Sequence, residues 1–297
     1  MAKLVQAPLM AVDAIVVNYN AGESLQACVQ SLFDSTIKPE VKVLDNASSD
    51  GSAENLRNLY GSFPGLQVLM NPENIGFARA VNSVAKDSTA DFLLVINPDC
   101  ILSQNALELM VGALNEDPEA ALAAPAVYNT RGRLEKAAFR HFPNPWNSLL
   151  TISGLSRLGR WVPAFEGVAI DASKLPASNT RAEAVSGACM LIRRSAMQQL
   201  GFLDEAYGLH CEDLDLMYRL SEAGWFSVLV PSASAVHEQG VSSRSRPVWV
   251  LRQKHLGMAR FFEKFQAPQH SFPVRWLVHG GIWLHFLVKL PIVLLRK

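Results

Sequence analysis

Short runs of β-branched and aliphatic residues alternate with helix-spaced stretches over the first hundred residues. Positions 14–17 form an apolar run that ends at Asn18-Tyr19-Asn20, and positions 24–33 then carry apolar residues at helical intervals. A second strand at 41–44 leads through Asp45 to Ser52 into a helix reaching Leu59. A third strand at 66–70 precedes a helix at 77–85, and a fourth at 92–96 stops at Asn97-Pro98-Asp99. This alternation predicts an α/β fold with a mostly parallel sheet covered on both faces. Ligands of such sheets sit outside the carboxyl ends of the strands. Asn18, Asp45, Asn74 and Asp99, each at or just past a predicted strand end, are therefore expected on one rim.

The pattern then loosens. Residues 129–181 contain Pro143, Pro145, Pro163 and Pro176, with several Gly and Ser, and read as a long, partly irregular insertion. In a compact domain such a segment is more often a functional lid than plain connection. Regularity returns with an apolar run at 188–192, a helix at 195–200 and a helical stretch at 212–223. Near the end, the 13 residues between Arg275 and Lys289 are apolar apart from His279 and His285. That is short for a bilayer span, and Gly280, Gly281 and Pro291 predict interruption of a long straight helix. A segment in the membrane interface fits the pattern, with Trp at the boundary and Lys/Arg at anionic headgroups. A helical pair packed on the preceding domain or at a homodimer contact is the alternative.

Composition supports that end of the chain. The 297 residues are 49% hydrophobic, which excludes a mainly disordered chain, and 27 basic side chains balance 27 acidic ones. The balance gives no prior for nucleic-acid binding. It hides a split: residues 1–240 carry 17 basic and 26 acidic groups, whereas residues 241–297 carry 10 basic and one acidic. The basic end also holds Trp249, Trp276 and Trp283. Cys28, Cys100, Cys189 and Cys211 are widely spaced, which argues for free thiols in a reducing compartment. Lys3 precedes some apolar residues, but Asp13 breaks the run and no cleavage site follows, so no signal peptide is expected.

Four clusters carry candidate chemistry, each with a plainer alternative. Asp45 to Ser52 is partly a turn and helix cap, yet Asp45 is not needed for capping and could accept from a nucleobase N–H. Asp99 could be a turn residue, or a carboxylate for a hard divalent cation carrying a diphosphate. Glu212, Asp213 and Asp215 complement a helix dipole, but three carboxylates so close raise the proton affinity of at least one, which suits a general base. His237 is an ordinary post-strand histidine unless it folds back beside Asp99 and completes a metal site.

Together these clusters resemble the family 2 glycosyltransferases of GT-A fold, in the bacterial rhamnosyltransferase-like branch. The matching residues are Val17-Asn18-Tyr19-Asn20, Asp45 to Ser52, Asn74-Ile75-Gly76-Phe77-Ala78 and Asn97-Pro98-Asp99. Further along they are Ser186-Gly187-Ala188-Cys189-Met190-Leu191-Ile192-Arg193-Arg194, Gly201-Phe202-Leu203-Asp204-Glu205, Glu212-Asp213-Leu214-Asp215, and His237 with Gly240 and Ser242. The resemblance implies a single Rossmann-like GT-A domain over 1–245. Its nucleotide-sugar half would cover about 1–125 and its acceptor half 126–245. Basic amphipathic helices at 246–297 would follow, associating with a membrane.

By that resemblance, Asn18, Tyr19 and Asp45 line the base pocket of a nucleotide sugar, bordered by Asn74 and Phe77. Asp99 matches the last acid of the family's D-x-D, and His237 a further contact to Mg²⁺ or Mn²⁺. Asn97 departs from the pattern in place of the first Asp, leaving fewer carboxylates on the metal. Asp213 matches the catalytic base of an inverting transfer, with Glu212 orienting the acceptor. The implied donor is dTDP-L-rhamnose or a UDP-sugar, and the acceptor a glycan or polyprenyl-linked glycan. The implied setting is cell-envelope polysaccharide synthesis, such as O-antigen, at the cytoplasmic face of the inner membrane. A nucleotidyltransferase would want a Gly-rich basic loop after the first strand, which Asn18-Tyr19-Asn20-Ala21-Gly22 does not supply. A non-catalytic assembly subunit would not need Asp99, Asp213 and His237.

Overall fold

The computed structural model describes residues 10–241 and 246–295. Lys3 and Ser242, which the sequence singles out, lie outside the described residues. Strand β1 (Val12–Asn18), helix α1 (Glu23–Asp34), β2 (Glu40–Asp45), α2 (Ser52–Tyr60), β3 (Leu66–Met70), α3 (Phe77–Asp87) and β4 (Phe92–Ile96) alternate as the pattern predicts. Every residue of β1 is buried, as expected for a parallel strand covered on both faces. Its side chains alternate: Ala14 and Val16 enter one core with Leu25, Leu32, Leu107 and Met110, while Ile15 and Val17 enter another with Val81, Leu216 and Met217. The sheet is thus the middle of three layers.

Elements the pattern did not resolve complete it: β5 (Cys100–Leu102), α4 (Ala106–Glu116) and β6 (Ala120–Asn129). Ala-rich β6 lacks the β-branched signature of a strand, and three-residue β5 is too short to show a period. The expected insertion follows, with only β7 (Phe139–Arg140), α5 (Pro145–Ser153) and 3-10 turns before β8 (Thr180–Ala182). Then come β9 (Ala184–Val185), β10 (Cys189–Arg193), α6 (Arg194–Gln199), α7 (Glu212–Glu222) and the long β11 (Phe226–His237). The main sheet runs β3-β2-β1-β4-β10-β6-β11-β5, with β8 also on β11. Six of its nine strands run one way, and β5, β8 and β10 run against them. The ends of β1, β2, β4, β6 and β11 therefore share a rim.

Two helices close the chain, α8 (Pro247–Phe261) and α9 (Phe272–Leu294). Ion pairs tie α8 and the π-helical turn after it (Phe262–Gln266) to the preceding core: Asp204 accepts from Arg260 at 2.7 Å and from Lys264 at 2.8 Å, and Lys264 also reaches Asp215 at 2.6 Å. The predicted interruption of the last helix does not occur. Gly280 and Gly281 are accommodated inside a continuous helix of 23 residues, at roughly 1 kcal/mol each relative to Ala. Pro291 falls in its last turn, so the one intrahelical bond that its missing N–H forfeits lies near the helix end. Packing on α8 holds α9: Ile282 is buried, and His285 Nδ1 lies 3.0 Å from His255 Nε2.

Candidate active site

On the β1–β2 side the rim is tightly bonded. Asn18 and Asp45, the last residues of adjacent parallel strands, are fully buried. Asn18 Nδ2 lies 2.7 Å from Asp45 Oδ1 and 2.8 Å from Ser52 Oγ. The Asp45 carboxylate also accepts from the Ser48 hydroxyl at 2.5 Å and its backbone N–H at 2.9 Å. Three bonds leave a carboxylate one acceptor position free. Asp45 thus shapes the loop that follows it, a role absent from the sequence reading, where Ser48 and Ser52 belong to a turn and helix cap. Ala47 takes φ 58° and Gly51 φ 75°, the left-handed values that let this loop turn back over the strand end. Tyr19 lies partly exposed beside it, with the Arg246 guanidinium 5.7 Å from its ring centre. Asn74 caps a turn by accepting from Gly76 N–H at 3.0 Å, and Phe77 opens α3, packed partly buried against the core.

The second group forms where β4 and β11 end. Cys100 pairs with His237 across the β5–β11 ladder, so Asp99, one residue earlier, comes against the imidazole. His237 Nε2 is 3.2 Å from Asp99 Oδ1 and 3.4 Å from Asn97 Nδ2, while Nδ1 is 3.1 Å from Glu135 Oε1. The histidine does fold back beside Asp99, the first of the two conditions set for it by the sequence. Burial alone would lower its proton affinity, but hydrogen bonds with Asp99 and Glu135 outweigh burial and raise its pKa to about 9. The two carboxylates thus create a buried demand for positive charge.

Glu135 was not legible: it lies in the irregular insertion, in no motif. Its carboxylate fixes the imidazole in the way that outer carboxylates orient metal-bound histidines. With Nδ1 committed to Glu135, Nε2 and the Asp99 oxygens form an N,O donor pair compatible with Mg²⁺ or Mn²⁺. Among the described residues no third His, Cys, Asp or Glu joins them in a metal-binding group. The pair suits a cation whose other ligands are phosphate oxygens. A cavity of about 280 Å³ opens beside it, lined by Asn129, Thr130, Arg131, His237, Glu238 and Gln239.

The third group sits at the start of α7. His210 and Cys211 both adopt left-handed conformations, with φ 68° and 71°, values that cost free energy in non-glycine residues. This turn sets Glu212 and Asp213 at the helix N-terminus. Arg140 of β7 donates to Asp213 Oδ2 at 2.8 Å; the pairing of β7 with β9 presents it. A Cβ on Gly187 would fall 2.7 Å from the same oxygen, which explains a glycine in the Ser186-Gly187-Ala188 motif.

Glu212 is buried, and its Oε2 has no hydrogen-bond partner. Desolvation, then the neighbouring Asp213 charge, raise its pKa to about 8. The raised proton affinity expected of one of these carboxylates falls on Glu212, through burial first and repulsion from Asp213 second. Asp215 is instead neutralised by Arg219 at 2.5 Å and Lys264 at 2.6 Å. Arg140 is the other residue that sequence reasoning missed.

A three-layer α/β fold thus gathers acidic and amide side chains at the strand ends, where ligands of such sheets bind. The description Glycosyl transferase family 2 matches residues 13–201, and the chain belongs to that family. It is 29% identical, over 93% of its length and 92% of the relative's, to an N-acetylglucosaminyl-diphospho-decaprenol L-rhamnosyltransferase of Mycobacterium tuberculosis. Among solved structures, the fold resembles GalNAc-T7 with UDP, GalNAc and Mn²⁺, with a TM-score of 0.60 and 16% identity. That match covers 96% of this chain and 58% of the other, so this chain spans little more than half of that protein's length. A mannosyltransferase of Pyrobaculum calidifontis in complex with GDP-Man and Mn²⁺ matches with a TM-score of 0.57 and 18% identity, over 96% of this chain and 73% of that one. The fold is GT-A and the protein is a glycosyltransferase.

Proposed function

We propose that this enzyme moves L-rhamnose from dTDP-L-rhamnose, with inversion, to a hydroxyl of a polyprenyl-linked glycan in cell-envelope polysaccharide synthesis. The observation that carries the reading is the near full-length similarity to the mycobacterial L-rhamnosyltransferase, whose name specifies a decaprenol-linked acceptor. In this reading Asn18 and Asp45 underlie the nucleobase, and Tyr19, Asn74 and Phe77 border it. Asp213 removes the proton from the acceptor hydroxyl as that oxygen attacks the anomeric carbon. The bond from that carbon to the diphosphate breaks, and the nucleoside diphosphate departs with the electron pair.

Arg140 holds the Asp213 carboxylate in place. Glu212, whose proton affinity is raised by burial and by the neighbouring Asp213, orients the acceptor beside it. A divalent cation, Mg²⁺ or Mn²⁺, held by Asp99 and His237 would neutralise charge on the departing diphosphate. The enzyme works at the cytoplasmic face of the inner membrane, where α9 engages an anionic bilayer. That helix is long and apolar enough to cross a membrane, and only 6% of its most apolar window is buried.

The test offers dTDP-L-rhamnose, UDP-sugars and GDP-sugars separately to the full chain with Mg²⁺ or Mn²⁺ and a polyprenyl-linked acceptor. Released nucleotide and glycosylated acceptor are measured together. Rhamnosylated acceptor with release of dTDP is the expected result. Preferential use of a UDP- or GDP-sugar would overturn the donor assignment.

A further inference from the structure

Exposed apolar side chains are unevenly distributed. Of the 25 exposed large hydrophobic residues among those described, ten lie in residues 272–295 and seven in residues 146–162 of the insertion. Scattered surface hydrophobics are ordinary, whereas a concentration marks a contact surface. In the insertion they recur every third residue: Trp146, Leu149, Ile152, Leu155, Leu158 and Trp161. Trp161 is 64% exposed and Trp146 57%. α5 supplies the first three and a 3-10 turn the next two.

The charge of this segment is one-sided. From Lys136 to Phe165 the chain has no Asp or Glu, and it places Arg157 and Arg160 among the exposed apolar residues. The Arg160 guanidinium lies 3.7 Å from the Trp161 ring centre. Tryptophan beside arginine on an apolar face suits the boundary between acyl chains and anionic headgroups.

The insertion and the C-terminal helix share a base. Gln266, six residues before α9, donates to the backbone carbonyl of Pro143, two residues before α5. Phe142 packs edge-on against Tyr218 at 5.1 Å, and Tyr218 packs on Phe265 at 4.4 Å. Both apolar segments therefore leave the protein from one aromatic cluster, and Arg140, which contacts Asp213, lies two residues before that cluster's Phe142.

We propose that residues 145–162 form a second membrane-docking surface, which lies on an anionic bilayer beside α9 and sets the acceptor side of the site at the lipid surface. This deepens the lipid-linked acceptor reading and rests on it for the purpose of the docking, though not for the docking itself. A hydroxyl displayed just above the headgroups could then meet Asp213 without extraction of its polyprenyl tail.

The test places one environment-sensitive fluorophore on the full chain at Leu158→Cys, Leu284→Cys or Leu59→Cys, with the wild-type chain treated identically as the blank. Each protein is mixed with phosphatidylcholine vesicles, with or without phosphatidylglycerol. The Leu158 label is expected to shift to the blue on anionic vesicles, brighten severalfold and be quenched by brominated acyl chains. The Leu59 label, on α2, is expected to stay unchanged. A silent Leu158 label beside a quenched Leu284 label would overturn this proposal while leaving the α9 reading standing. Silence of both would overturn both. An equal response at Leu59, or a Leu158 shift in lipid-free protein that grows with concentration, would replace docking by adsorption or self-association.

Discussion

The two sides of the rim are built differently. On the proposed donor side, Asn18, Asp45 and Asp99 sit at or just beyond the ends of parallel strands, and their polar atoms are closely bonded. On the acceptor side, Glu212 and Asp213 follow two left-handed residues, and Arg140 comes from a two-residue strand inside the insertion. Unpaired buried atoms at the site occur on this second side: Glu212 Oε2 and Arg140 Nε. Such atoms are costly to bury without a partner. The proposed donor side is internally bonded, whereas the proposed acceptor side keeps buried polar atoms without a protein partner.

Removing the cation should test the donor side hardest. Chelation is expected to reduce transfer by roughly 10³-fold, corresponding to several kcal/mol of charge stabilisation, with recovery on adding Mg²⁺ or Mn²⁺. Asp99→Asn should weaken nucleotide-sugar binding in the presence of metal, read by calorimetry. Unchanged turnover after chelation would place the diphosphate on protein cations instead.

Arg140→Ala should break the acceptor side alone, lowering kcat by about 10²-fold through misplacement of the base. Donor affinity should remain as in the wild type, and Arg140→Lys should recover only part, because it lacks the planar fork. A rise in donor KM at normal kcat would move Arg140 to the donor side. Gly187→Ala should act on the same carboxylate from the opposite direction, since the new Cβ falls 2.7 Å from Asp213 Oδ2. A kcat loss of about 10-fold and destabilisation of about 1–3 kcal/mol are expected, measured by steady-state kinetics and thermal unfolding.

The smallest effect concerns pH. Folded Glu212 keeps its proton up to about pH 8, against a reference value of 4.5 for the carboxyl. Between these values the native state holds more protons than the unfolded one. Its contribution is complete below about pH 4.5 and is lost as pH rises through 8. Glu212→Gln should therefore flatten the decline in thermal stability between about pH 4.5 and pH 8. An unchanged slope would assign that decline to another group.

The same contrast explains what the sequence made legible. β1 to β4 carry their own period and turn chemistry, so the donor rim follows from local pattern, down to Asn97-Pro98-Asp99. Asp213 and His237 are visible through motif order. Glu135 and Arg140 are not, because each acts through a contact far along the chain, 102 residues for Glu135 with His237 and 73 for Arg140 with Asp213. Their segment has no period to announce it. The continuity of α9 is hidden for a related reason: Gly280, Gly281 and Pro291 are local helix breakers, whereas the contact of His285 with His255 on α8 is long-range.

The most direct measurement compares wild-type and Asp213→Asn protein, with donor binding and transfer read on the same samples. The variant is expected to bind dTDP-L-rhamnose with near-normal affinity while transfer falls by about 10²–10⁴-fold, the range for loss of a general base. Near-normal turnover by the variant would contradict the assignment of Asp213 as the base and, with it, the division of labour between the two sides of the rim.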